Sequence, residues 1–176
     1  GMESYLSLAA TDYTDGFALI ACKNVLNYLP QACDGSDGDE VVRQKLADAS
    51  ALAGIAAANT FPGLVYGMAC ALSAWHHLPH GVACGILLPE VMVYQVRSKG
   101  ERRNGFFQHL YPSPRERYEA LAAFCGVGGT EPAGSFSQLL HEVCQLRDKA
   151  EIYPTIQAYG VEEAYFLDTL DQVGGQ

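Results

Sequence analysis

An all-α fold is predicted by three features of the sequence. Apolar residues recur at three- and four-residue steps, no segment of useful length alternates with a period of two, and prolines or glycines separate the apolar stretches. These features predict a multi-helix bundle forming a single domain over residues 1–176. Its core helices are expected over about residues 10–97, and a smaller helical part over about residues 102–171.

The composition limits the partners and the compartment that we expect. The chain carries 11 Lys and Arg against 20 Asp and Glu, a net charge of −9, and it has no basic run, so we expect no nucleic-acid partner. The most apolar run, residues 81–94, is interrupted by Pro89 and Glu90 and is too short to span a bilayer, so we expect no membrane association. The six cysteines contain no CxxC pair, which favours a reduced, cytoplasmic protein.

Two helices are predicted in the first third of the chain. Apolar residues between Asp12 and Tyr28 follow a helical period, and Pro30 is expected to stop this helix. The acidic stretch 34–40, DGSDGDE, predicts a loop whose last acids begin the next helix, because its spacing is not that of a calcium-binding loop. That next helix is predicted over residues 41–59, which are rich in strong helix formers.

The segment HHLPH, residues 76–80, lies between two further predicted helices. Pro62 is expected to open a helix that continues to about Trp75, and Pro79 is expected to open a second one over about residues 80–97. Pro89 lies inside the second helix and predicts a kink there. Shorter helices are predicted beyond Arg97, at about residues 104–110, 114–125, 135–150 and 161–171.

The same region contains the best candidate for chemistry. Tyr66 and Cys70 are four residues apart and share a helix face, and a tight joint would fold His80 back toward them. Imidazole combined with thiolate or carboxylate is a usual ligand set for iron or zinc, so a metal site is one interpretation. The alternative is that His76 and His77 only cap the end of a helix in solvent. Cys70, in an Ala-rich helix, is interpreted as packing rather than as a nucleophile.

At GLVYGMACALSAWHHLPHGVACGILLPEVMVYQ, residues 63–95, the chain closely resembles the iron-containing alcohol dehydrogenases. The segments ESYLSLAATDYTDGFALIACKNV, VRQKLADASALAGIAAANT and IYPTIQAYGVEEAYFLDTL are also similar to segments of that family. The resemblance implies the fold of the family's C-terminal helical domain, which is the dehydroquinate synthase-like fold. It also implies an oxidoreductase that uses Fe or Zn and NAD(P).

The resemblance assigns site residues position by position. His80, in PHG, matches a metal ligand of the family, which holds its metal with one aspartate and three histidines. Tyr66 stands where another ligand histidine is expected, and Cys70 where a further active-site histidine is usual. His77 is a weaker metal candidate. The other two ligands would lie just before residue 3, and the N-terminal nucleotide-binding α/β domain and the family's final helix are expected to be absent from residues 1–176.

These assignments leave three hypotheses. The first is a helical metal-site domain of an iron-containing alcohol dehydrogenase-like oxidoreductase, inactive alone and binding neither metal nor NAD(P) tightly. The second is a non-catalytic oligomerisation or interaction module derived from that family. The third is a new zinc or nickel site made by His76, His77 and His80, within one copy or shared across a dimer interface. Because the resemblance implies an uncovered apolar surface near His80, we expect a homo-oligomer or a separate nucleotide-binding domain as partner.

Overall fold

The computed structural model describes residues 1–36, 38–61, 63–98, 112–128 and 135–162, and over these ranges the chain is helical with no β-strand. The all-α prediction is therefore confirmed. The described helices, in chain order, are α1 (Met2–Leu6), α2 (Asp12–Gln31), α3 (Glu40–Ala58), α4 (Leu64–His76), α5 (His80–Arg97), α6 (Pro114–Cys125) and α7 (Phe136–Lys149). A short π-helical turn (Ala32–Ser36) follows α2, and a 3-10 turn (Ile156–Tyr159) follows α7.

The end of α2 differs from the prediction. Pro30 was expected to stop the helix, but it lies inside α2, which continues to Gln31 and passes directly into the π-helical turn. A proline in the last turn of a helix destabilises the helix less than one in the middle. A change to π geometry after it alters the backbone hydrogen-bond pattern, and this can compensate for the N–H group that proline lacks. Part of the predicted loop 34–40 is therefore helical, up to Gly35 with φ 95°.

Side-chain caps determine where three of the other helices begin. Asp39 accepts hydrogen bonds from the backbone N–H groups of Val41 and Val42, which confirms that the acidic stretch opens α3. Ser113 and Ser135 form capping boxes at the start of α6 and α7. The helices predicted at 114–125 and 135–150 are thus confirmed to within a residue at each end. The helix predicted at 104–110 lies outside the described residues, and so does nearly all of the one at 161–171.

Helices α4 and α5 lie where the sequence predicts them. α4 begins at Leu64 with Gly63 as its N-cap, while Pro62, expected to open it, lies outside the described residues. Pro79 is the N-cap of α5, as expected, and Pro89 is buried inside that helix. The kink at Pro89 stays a prediction. No helix among the described residues is both long and apolar enough to cross a membrane.

Two clusters of buried side chains form the core. The larger one joins α1, α2, α3, α5, α6 and α7, and its most completely buried large side chains are Met92, Leu121 and Leu139. The smaller one joins α4 and α5 through residues that include Leu72, Leu78 and Ile86. The segment after α7 packs on this smaller cluster, so α4, α5 and their joint are held by a core of their own.

A largely buried arginine of α6 contacts both α2 and α1 beside the larger cluster. Arg117 of α6 donates two hydrogen bonds to the carboxylate of Asp15, at 2.8 and 2.7 Å, and it also donates to the backbone carbonyl of Tyr5. Its guanidinium lies over the Tyr5 ring, 3.6 Å from the ring centre. Ser4, Tyr5 and Leu6 are all buried, so this short helix is firmly anchored despite its length.

Candidate functional site

The joint between α4 and α5 has a defined backbone path. His77 ends α4 in the left-handed conformation, with φ 56°, which is uncommon for a residue other than glycine. The side chain of Leu78 is buried in the smaller core cluster, and Pro79 turns the chain into α5 with φ −55°. His80 is therefore the first residue of α5, held in place by the buried residue two positions before it.

The joint brings His80 back to α4, as the sequence predicts. The ring centres of Tyr66 and His80 are 5.1 Å apart, with an angle of 70° between the ring planes. This edge-to-face arrangement is a favourable geometry for two aromatic rings. Both side chains are exposed, so the pair lies on the surface of the domain. The structure thus brings together the two residues at family ligand positions, and their role as metal ligands stays a prediction.

A second neighbour of His80 was missed in the sequence analysis. Nε2 of His80 lies 3.5 Å from Sγ of Cys84, one helical turn along α5. Burial is the main cause that raises the pKa of the Cys84 thiol, and the negative charges of Glu3 and Cys70 raise it further. Cys84 is therefore a neutral thiol at neutral pH, not an activated nucleophile. The four-residue spacing from His80 was the signal that could have identified it.

Glu3 of α1 is a third contributor that the sequence did not indicate. Its carboxylate accepts hydrogen bonds from the backbone N–H groups of Val65, at 2.7 Å, and Tyr66, at 3.0 Å. The N-cap residue Gly63 provides no side chain for these donors, so Glu3 replaces the usual local cap. The two partners are separated by more than 60 residues along the chain, and no local sequence pattern reveals such a contact.

Within one copy the third hypothesis, a site made by His76, His77 and His80, finds no support, and a site shared between two copies stays a prediction. Among the described residues, which include His76, His77 and His80, no group of three or more His, Cys, Asp or Glu side chains could hold a metal ion. His77 is exposed at the end of α4, where the helix boundary and not a metal determines its conformation. His76 is half-buried.

The described residues do not fit a family iron site by themselves. At the ligand positions that they cover, they offer one imidazole, from His80, and a phenol, from Tyr66. A phenol is a poor ligand unless it is deprotonated. The thiol of Cys84 adds a soft donor, which suits zinc or copper better than iron.

Comparison with known proteins agrees with the resemblance seen in the sequence. The chain is 33% identical over 172 residues to the aldehyde-alcohol dehydrogenase of Clostridium acetobutylicum, and 33% identical over 174 residues to the bifunctional aldehyde-alcohol dehydrogenase of Escherichia coli K12. Each alignment covers 98% of this chain but 20% of the relative, so the chain spans about a fifth of their length.

The fold is shared with solved members of the same group. The structure of a 1,3-propanediol oxidoreductase superposes with a TM-score of 0.77 at 26% identity, covering 96% of this chain and 41% of that protein. An iron-containing alcohol dehydrogenase from Thermococcus thioreducens superposes with a TM-score of 0.75, and at 24% identity it supports the fold alone. The sequence profile described as "Fe-containing alcohol dehydrogenase family, C-terminal" matches residues 1–173. The chain therefore belongs to the iron-containing alcohol dehydrogenase family, and it corresponds to the C-terminal helical domain of that family.

Proposed function

We propose that residues 1–176 act as the helical metal-site domain of an oxidoreductase of the iron-containing alcohol dehydrogenase type, and that they are inactive alone. The observation that supports this most is the pairing of His80 with Tyr66. The two side chains that the resemblance assigns to ligand positions lie together, with ring centres 5.1 Å apart, but one of them is a phenol where the family has an imidazole. A site reduced in this way loses most of its affinity for a divalent metal.

The same proposal explains why an additional domain is needed. Hydride transfer requires NAD(P) to be held against the substrate carbonyl, and the described residues contain no strand on which a nucleotide-binding fold could be built. We propose that the nucleotide-binding domain and the remaining ligands come from outside residues 1–176, from the same polypeptide or from a separate partner. All six cysteines are free, which supports a cytoplasmic protein.

The decisive experiment measures metal binding before and after a histidine is restored. The purified chain and a Tyr66→His variant are titrated with Zn²⁺ and with Fe²⁺ under reducing conditions, and binding is followed by calorimetry. We expect weak binding to the wild-type chain and tighter binding to the variant, because a second imidazole then stands beside His80. A Tyr66→His/His80→Ala double variant is the control, and it should return to weak binding.

An activity assay complements the titration. The same proteins are incubated with NADH or NADPH and small aldehydes, with each metal present. We expect no oxidation of the cofactor above that seen with His80→Ala. Turnover by the wild-type chain that disappears in His80→Ala would show that this domain is active alone, contrary to the proposal.

A second candidate function is supported by exposed apolar side chains around α4. Phe61 is 73% exposed, and Leu64, Tyr66 and Trp75 are each more than 40% exposed. Apolar surface of this kind tends to be covered by a partner. The alternative proposal is a non-catalytic oligomerisation or interaction module, whose partner is a second copy or a separate nucleotide-binding domain. Light scattering over a range of concentrations tests self-association, and a monomer throughout would exclude the homo-oligomer.

A further inference from the structure

We infer that Glu3 is a positioning residue for the site at His80: its carboxylate fixes the first turn of α4 and thereby holds the Tyr66 ring against the imidazole. One of its two hydrogen bonds, at 3.0 Å, comes from the backbone N–H of Tyr66 itself. The carboxylate therefore acts on the same residue whose ring lies against His80. This inference deepens the proposed function, because it concerns the same site.

The N-terminus of α4 has a specific need for this carboxylate. The first backbone N–H groups of a helix have no partner within the helix, and a carboxylate there is also favoured by the helix dipole. Gly63 offers no side chain to satisfy them, and a Cβ at this position would overlap with the Glu3 carboxylate. The glycine thus leaves the space into which Glu3 reaches.

Glu3 can act as a positioning residue because its own helix is immobilised. The neighbouring residues Ser4 and Tyr5 are buried, and Arg117 binds both the carbonyl and the ring of Tyr5. On the other side of the site, Leu78 anchors the joint from which His80 extends. The Tyr66 ring and the His80 ring are therefore each held by a buried anchor, and Glu3 is the link from α1 to the first of them.

The test uses nuclear magnetic resonance of the full chain with isotope-labelled histidine. The five histidines give separable ring signals, and His80→Gln assigns that of His80. Tyr66→Leu then shows how far the His80 signal moves when the neighbouring ring is removed. In Glu3→Gln the side chain keeps an oxygen acceptor for one of the two backbone N–H groups and places its own NH2 donor against the other. We therefore expect the His80 signal to move toward its position in Tyr66→Leu.

Two further variants separate positioning from stability. Glu116 accepts a hydrogen bond from the Ser113 backbone N–H at 2.6 Å in the capping box of α6, so Glu116→Ala removes a comparable carboxylate cap elsewhere. It should lower the unfolding midpoint and leave the His80 signal in place. Gly63→Ala displaces the Glu3 carboxylate without changing its charge, so it should move the His80 signal as Glu3→Gln does. It also replaces Glu3→Gln as the test variant if Glu3→Gln does not fold.

The inference is overturned if the His80 signal stays at its wild-type position in Gly63→Ala and in any folded Glu3→Gln protein. It is also overturned if Glu116→Ala moves that signal equally, because general loosening would then be the cause. The readout needs neither a metal nor activity. A failed inference here therefore leaves the proposed function standing, and a failed metal titration leaves this inference standing.

Discussion

Arg117 of α6 pairs with Asp15 of α2 and contacts Tyr5 of α1, and these polar interactions should be the most costly to break at the α1 anchor. Arg117→Met removes the guanidinium but keeps most of the apolar stem. The two side chains are 16% and 17% exposed, so the carboxylate of Asp15 would remain largely buried and unpaired. Removing one partner of a buried pair costs about 3–5 kcal/mol, and the lost contact with the Tyr5 ring adds about 1 kcal/mol. Because the pair is partly solvated, we expect a loss of about 3 kcal/mol.

Urea unfolding of the purified chain measures this loss. The matched control is Arg115→Met on the same helix, where Arg115 pairs with Glu119 at 3.6 Å and its side chain is 56% exposed. Such an exposed pair contributes about 0–1 kcal/mol, so the control should change the unfolding midpoint little. A double variant, Arg117→Met with Asp15→Asn, should be less destabilised than the sum of the single variants. If Arg117→Met cost no more than the control, the anchor described for α1 would be refuted.

Three other predictions concern a buried thiol, a buried leucine and a helix cap. Burial raises the pKa of Cys22 to about 11, so the thiolate is disfavoured in the folded state. Stability should be constant below about pH 9 and fall as the pH rises toward 11, by about 1.4 kcal/mol at pH 10 from this thiol. Urea midpoints across this range should fall less steeply in Cys22→Ala, and parallel curves would contradict the assignment. Leu139→Ala, at a site with 0% exposure, should cost about 3 kcal/mol, against less than about 1 kcal/mol for Leu64→Ala at 43% exposure; thermal and urea unfolding of both variants provide the comparison. Ser113→Ala should cost about 1 kcal/mol in the same assay, and no change in the midpoint would mean that its capping box does not stabilise α6.

Periodicity and caps were sufficient to predict most of the described helices. The starts of α3, α6 and α7 each depend on the side chain of the residue just before the helix, so a short stretch of sequence contains the information that places them. Pro30 shows the limit of this reasoning. A proline indicates that a helix will be interrupted, but the exact residue depends on whether the chain beyond it can adopt a compensating turn, as it does here through Gly35.

The site was only half predictable for a related reason. The proximity of Tyr66 to His80 follows from a short joint between two helices, which the spacing of the prolines indicates. The contact of Glu3 with α4 depends on how the core positions α1. Glu3 and Val65 are far apart in the sequence, so no local sequence pattern predicts their contact. The contact between Cys84 and His80 could have been predicted from the sequence, because residues four apart share a helix face.

The residues that shape the site are distinct from the residues that would bind a metal. Leu78 and the left-handed His77 determine the path of the joint, and Glu3 caps α4, whereas Tyr66 and His80 project from this frame as exposed side chains. None of the framing contacts depends on an imidazole at position 66. A histidine could therefore be replaced by tyrosine there without disturbing the helices, because the ring still packs edge-on against His80. This separation would allow a chain with the fold of the family's C-terminal domain to carry the reduced ligand set that we propose.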